Sequence, residues 1–136
     1  MIGTGHGVGA ALNVHEGPQR ISPHLDPHPP PQPLLPGMIV SNEPGYYEVN
    51  GFGIRIENLL LVEERKQFPP FAGKSWLGFN RLTFIPIQKK MINQDLLTKD
   101  EIIWINSYHQ DVYEKVFPLL RTDRAKIWLR KETLPL

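Results

Sequence analysis

The sequence predicts an α+β fold in which antiparallel strands are followed by helices. Residues 37–47 and 51–64 carry strand-like apolar patterns, and the Asn50-Gly51 pair between them is typical of a hairpin turn. Residues 98–101 match a capping box, which predicts the start of a helix. We therefore expect an antiparallel hairpin first in the chain and helices last.

Two helices are expected in the C-terminal region. The first begins at the capping box and should end near Pro118, and the second covers about residues 123–131. Apolar residues at helical spacing define the buried face of the first helix: Ile105, Tyr108, Val112, Val116 and Leu119. In the second helix, Ala125, Trp128 and Leu129 are expected on one side.

The remaining segments give weaker signals. Residues 12–15 are expected to form a short extended piece after a glycine-rich start, and residues 65–80 to be irregular. Residues 82–88, LTFIPIQ, predict a further strand, which the proline restricts to an edge or a bulge.

The predicted domains are residues 1–88, the C-terminal half of a catalytic domain, and residues 89–136, a helical extension. Prolines crowd residues 23–36, which predicts an exposed loop within the first domain. We expect His24 and His28 in this loop to be solvated, because no regular element directs them towards a site.

The composition excludes several classes of protein. Lys and Arg number 15 against 14 Asp and Glu, so nucleic acid and anionic membrane are not expected partners. The absence of cysteine excludes a disulfide scaffold, a thiol nucleophile and cysteine-ligated zinc. No apolar run approaches the ~20 residues that span a bilayer, and no signal-peptide pattern is present. A cytoplasmic location is therefore expected.

Several residues that could bind metal occur in the β-rich region. These are His6, His15, Glu43 and Glu57. Glu57 lies among apolar residues on a strand expected to be buried, where an uncompensated carboxylate costs several kcal/mol. Arg55, two residues earlier on the same face, could compensate it, and so could a metal ion; the spacing alone leaves both open.

Four segments in this order resemble the C-terminal part of aminopeptidase P, the Xaa-Pro aminopeptidase of the pita-bread metallopeptidase family M24. They are GTGHGVGAALNVHEGP, MIVSNEPGYY, GFGIRIENLLLVEE and LTFIPIQKKMI. The resemblance covers nearly the whole chain and is closest to the long cytosolic type. It implies the C-terminal portion of a pita-bread fold and hydrolysis of the N-terminal Xaa-Pro peptide bond.

The resemblance also implies a role for each candidate residue. His6, Glu43 and Glu57 would bind two divalent metal ions, with manganese expected first and zinc or cobalt as alternatives. Glu43 would also handle the proton of the attacking water, and His15 would bind substrate and steady the oxyanion. His6 would also contact the substrate, and Arg55 would orient the neighbouring metal ligands.

Two aspartate ligands implied by the resemblance are absent from this sequence. Two divalent ions bring four positive charges, whereas hydroxide, Glu43 and Glu57 supply three negative charges. We therefore expect the sequence to be a piece of a longer catalytic domain and to be inactive by itself.

Other functions stay open at this level. A non-catalytic pita-bread interaction module is the main alternative, and methionine aminopeptidase or creatinase chemistry is another. Expected partners are peptides with proline at the second position and a second copy in a homodimer. Trp104, Tyr108 and Trp128 could lie at that dimer interface or in the core.

Overall fold

A computed structural model describes residues 3–23 and 32–136, so His24 and His28 lie outside the described residues. The described residues form seven strands, two α-helices and three 3₁₀ turns. The strands are β1 (Gly5–Gly7), β2 (Glu16–Ile21), β3 (Ile39–Asn42), β4 (Gly45–Tyr47), β5 (Gly53–Arg55), β6 (Asn58–Glu64) and β7 (Leu77–Arg81). The helices are α1 (Lys99–Val116) and α2 (Asp123–Glu132), and the 3₁₀ turns are Lys89–Met91, Gln94–Leu96 and Phe117–Leu119.

The chain divides into two compact units, Met1–Thr83 and Phe84–Leu136. The division falls five residues before the boundary predicted between residues 88 and 89, and the roles assigned to the two domains stay predictions. Neither described helix has the length and hydropathy that crossing a membrane requires.

The first unit is built on an antiparallel sheet in the order β2-β1-β3-β6-β7, with β4 and β5 as a separate pair. The predicted hairpin is confirmed, because β3 pairs with β6 and β4 with β5. It is divided in two because the pairing stops at Asn42↔Asn58 and resumes at Gly45↔Arg55. Pro44, which has no N–H to donate, lies in this interruption.

Two strand predictions at the edges of the sheet are wrong. Residues 82–88 form no strand, and the edge strand beside β6 is β7, of which residues 77–80 lie in the segment expected to be irregular. The backbone after β7 instead bonds to side chains of α1: Ile85 exchanges hydrogen bonds with the hydroxyl of Tyr108, and Ile87 donates to His109. Tertiary contacts thus replace the ladder that the local pattern suggested.

The extended piece predicted at residues 12–15 is also wrong. Leu12 has a φ of 57°, in the left-handed region, and the strand begins only at Glu16. The glycine-rich stretch before it contains β1, where a Cβ on Gly5 would collide with the carbonyl oxygen of Ser41. Glycine is needed here because β1 approaches β3 closely.

The second unit is a small helical core. The predicted start of α1 is confirmed, since Thr98 and Glu101 form a complete capping box. Tyr108 and Val112 of α1 pack with Leu129 of α2, and Phe84 and Ile87 cover this cluster. Leu119, expected on the buried face, is exposed because the helix ends at Val116 and the chain tightens into a 3₁₀ turn with Pro118.

The three aromatic residues considered for a dimer interface have different environments. Tyr108 is buried, whereas Trp104 and Trp128 are about half exposed. The core interpretation therefore holds for Tyr108 and not for the two tryptophans. Trp104 stacks on Tyr108 with ring centroids 6.0 Å apart.

His109 gives this unit a predicted pH dependence. It is fully buried, its Nε2 accepts from the Ile87 N–H at 3.1 Å, and its Nδ1 has no partner among the described residues. Burial lowers the pKa of His109 below 6.5, and Lys89 lowers it further, while Glu132 opposes the shift. As pH falls below 6.5, the His109 side chain becomes protonated in the unfolded chain before it does so in the folded chain. The free energy of unfolding should thus fall by up to about 1.4 kcal/mol per pH unit.

Urea unfolding between about pH 7 and pH 5 measures this slope. In the control His109→Gln, the amide oxygen can still accept from Ile87 but does not titrate, so the slope should flatten. Equal slopes for the parent and His109→Gln would contradict the prediction.

Candidate metal centre

Three potential metal ligands meet at one end of the main sheet. One donor atom from each of His6, Glu43 and Glu57 lies within 4.8 Å of the other two, and no other such group occurs among the residues that the structure describes. His6 is in β1, Glu43 directly follows β3, and Glu57 directly precedes β6. The structure thus brings these three predicted residues together.

The register of the hairpin explains why the two glutamates are close. The pairs Asn42↔Asn58 and Gly45↔Arg55 bracket them, so Glu43 lies opposite Glu57. Like charges directly opposite each other on neighbouring strands repel. A cation between or beside the two carboxylates would relieve this repulsion.

His6 presents one ring nitrogen to the site. Its Nδ1 lies 2.8 Å from the Gly7 carbonyl oxygen, which can only accept, so Nδ1 carries the proton. Its Nε2 lies 3.2 Å from Oε1 of Glu43. Nε2 therefore faces the carboxylates, in the orientation that a metal-binding imidazole needs.

Both carboxylate oxygens of Glu43 are held in place. Oε1 accepts from the hydroxyl of Ser41 at 3.1 Å, and Oε2 accepts from Nη1 of Arg55 at 3.1 Å. The backbone N–H of Glu43 donates to the Thr4 carbonyl at 2.7 Å, which ties it to the chain just before β1. With its side chain 12% exposed, Glu43 is the least exposed of the three donors.

Glu57 is not buried, contrary to the sequence expectation. Its side chain is 43% exposed, because the predicted continuous strand breaks at Ile56 and Glu57 between β5 and β6. Its Oε2 lies 3.7 Å from Nη1 of Arg55, an ion pair rather than a hydrogen bond. The exposure removes part of the argument that an uncompensated Glu57 would be costly.

Arg55 bridges the two glutamates and is itself held by Tyr47. Its Nε donates to the Tyr47 hydroxyl at 2.8 Å. This hydrogen bond, aided by Glu43 and Glu57, raises the pKa of Arg55, which stays charged at every relevant pH. Sequence reasoning missed Tyr47 and Ser41. The hairpin register contained a signal for Tyr47, since it lies diagonally across the β4–β5 pair from Arg55.

His15 also reaches this site. Its ring meets that of His6 edge to face, with centroids 4.6 Å apart and planes at 82°. It lies on the exposed segment just before β2, so its ring is accessible from solvent. The structure thus places both histidines of the glycine-rich motif together.

The donor types fit divalent metal ions, although the donors are too few for a full centre. One imidazole and two carboxylates suit manganese, cobalt or zinc. A single ion takes at least about four ligands, and Arg55 offsets one of the two carboxylate charges. These residues can hold one ion loosely, and a pair of ions would need further carboxylates.

Comparisons with known proteins identify the relatives of the chain. Residues 1–64 match the model of metallopeptidase family M24, and residues 75–136 match that of the C-terminal region of peptidase M24. The chain is 57% identical over 134 residues to aminopeptidase P2 of Arabidopsis thaliana, covering 98% of this chain and 18% of that protein. It is 53% identical to a probable Xaa-Pro aminopeptidase P of Coprinopsis cinerea, covering 98% of this chain and 21% of the relative.

A solved structure agrees with these relatives. The X-prolyl aminopeptidase of Caenorhabditis elegans, described as a cytosolic enzyme with a di-nuclear active site, matches with a TM-score of 0.79 and 36% identity over 98% of this chain. The chain spans about a fifth of the length of each of these proteins. This agreement confirms the predicted α+β class, as part of a pita-bread fold, and the resemblance to aminopeptidase P. The chain belongs to metallopeptidase family M24.

Proposed function

We propose that this chain supplies His6, Glu43 and Glu57 as ligands to a dinuclear metal centre that hydrolyses the N-terminal Xaa-Pro peptide bond. The observation that carries the proposal is the convergence of one imidazole and two opposed carboxylates within 4.8 Å. The names of the relatives, Xaa-Pro aminopeptidases with one described as di-nuclear, support the reaction.

The proposed cofactor is a pair of divalent ions, manganese first and zinc or cobalt as alternatives. Divalent ions, when bound, polarise a peptide carbonyl and lower the pKa of water. His6 would contribute Nε2, since its Nδ1 is occupied by the Gly7 carbonyl. Glu57, the most exposed of the three donors, would contribute a carboxylate oxygen to the centre.

The residues of the chain also supply orientation and proton transfer. Glu43 would handle the proton of the attacking water, and Arg55, whose Nη1 donates to Oε2, would orient its carboxylate. His15, accessible beside His6, would donate to the substrate and to the developing oxyanion. Proline in the second position of the peptide makes the scissile bond a tertiary amide, which general peptidases accept poorly.

We infer that the remaining carboxylate ligands come from polypeptide outside this chain. Glu43 and Glu57 provide two negative charges against four on two divalent ions, and Arg55 adds a positive charge beside them. The 136 residues alone should therefore bind one ion weakly and show no useful turnover.

Location and assembly belong to the same proposal. The relative from Caenorhabditis elegans is described as cytosolic, which supports a cytosolic location for this chain. A homodimer and the absence of nucleic-acid partners stay predictions from the sequence.

Titration of the chain with Mn²⁺, followed by the electron paramagnetic resonance signal of the free ion, tests the proposal. We expect one weak site and, in a parallel assay, no release of the first residue from an Xaa-Pro dipeptide. Absence of any site at millimolar Mn²⁺ would overturn the metal centre and favour the non-catalytic module. Rapid turnover by the chain alone would overturn the inference that ligands are missing.

A further inference from the structure

Ser41 links two of the candidate ligands from a fully buried position in β3. Its side chain is 0% exposed. Its Oγ accepts from the backbone N–H of His6 at 3.0 Å and donates to Oε1 of Glu43 at 3.1 Å. One hydroxyl group therefore contacts the strand that carries His6 and the carboxylate of Glu43.

The local backbone explains why a side chain takes this place. The ladder between β1 and β3 contains only the pair Gly7↔Val40, so the N–H of His6 has no ladder partner on β3. Because a Cβ on Gly5 would collide with the Ser41 carbonyl, the two backbones are close enough for a short side chain to bridge them. A serine hydroxyl fits this gap.

We propose that Ser41 is a positioning residue that fixes the carboxylate of Glu43 relative to His6. The N–H of His6 occupies one lone pair of Oγ, so the hydroxyl hydrogen is free to point at Oε1. With Arg55 on Oε2, each oxygen of Glu43 has a fixed partner, and Oε1 lies 3.2 Å from Nε2 of His6. Partners of this kind orient ligands and tune their affinity for metal.

A purely structural role would make a different prediction. If Ser41 only satisfied the buried N–H of His6, its loss would lower stability without a specific effect on metal binding. A positioning role requires that its effect on metal affinity depend on the carboxylate of Glu43.

The inference rests on the proposed function, and the test separates the two. Mn²⁺ affinity and urea unfolding are measured for the parent chain, Ser41→Ala, Ser41→Thr and the control Ser107→Ala, an exposed serine on α1. We expect Ser41→Ala to bind Mn²⁺ about 10- to 100-fold more weakly, as is typical for loss of an outer partner of a ligand. Ser41→Thr keeps the hydroxyl and should bind within about threefold of the parent, as should Ser107→Ala.

A double variant separates positioning from folding. In the Glu43→Ala background, Ser41→Ala should have no further effect on affinity but should still lower the free energy of unfolding. The inference is overturned if Ser41→Ala binds as tightly as the parent, or if the affinity loss persists undiminished in that background. Should Ser41→Ala not fold, a folded Ser41→Thr that binds about tenfold or more weakly than the parent would overturn it, and parent-like affinity would support it. Lack of binding by the parent itself would overturn the metal centre and this inference together.

Discussion

Glu43→Gln is expected to weaken Mn²⁺ binding by this chain by more than about 100-fold, since loss of even an outer partner of a ligand costs 10- to 100-fold. The substitution removes one of the two carboxylate charges among the three donors. The amide oxygen and nitrogen of glutamine occupy nearly the same volume as the two carboxylate oxygens of glutamate, so the fold should be kept. The free Mn²⁺ signal in electron paramagnetic resonance titrations measures the loss.

Glu48→Gln is the matched control. Glu48 directly follows β4, is exposed, and lies outside the group of three donors, but its substitution changes the net charge by the same amount. It should leave Mn²⁺ affinity within about twofold of the parent, because exposed charges at a distance are screened. An equal loss in both variants would show that general electrostatics, and not ligation by Glu43, governs binding.

Much of the candidate site follows from the hairpin that the sequence predicts. The Asn50-Gly51 pair predicts a hairpin but not its register; the structure centres the turn on Asn50, so that residues equally distant from Asn50 pair. Glu43 and Glu57 are each seven residues from that centre, so their juxtaposition is a local consequence of the turn. His6 is different: its place beside them depends on β1 lying next to β3, a contact that no local pattern specifies.

The features that sequence reasoning missed depend on neighbours from elsewhere in the chain. The exposure of Glu57 results from the break between β5 and β6, which the continuous apolar pattern conceals. Residues 82–88 have the composition of a strand, but the backbone groups of Ile85 and Ile87 bond to Tyr108 and His109. The capping box of α1, whose donors and acceptors all lie within four residues, was by contrast predictable.

Leu129→Ala should destabilise the second unit by about 2–5 kcal/mol, the range for truncating a fully buried leucine. Leu129 is 1% exposed and is the only buried residue of α2, so the packing of this helix against Tyr108 and Val112 depends on it. A whole domain is stable by only about 5–15 kcal/mol, and the expected loss is a large share of that. Urea unfolding followed by far-ultraviolet circular dichroism, which reports the helices, measures it.

Ile127→Ala provides the comparison within the same helix. Ile127 is 67% exposed, so its truncation removes little buried surface and should change the free energy of unfolding by less than about 0.5 kcal/mol. Alanine has a higher helix propensity than either parent residue, so propensity alone would stabilise both variants slightly. A large loss confined to Leu129→Ala therefore reports burial. Similar effects of the two substitutions would mean that α2 is not held in place by its apolar contact with α1.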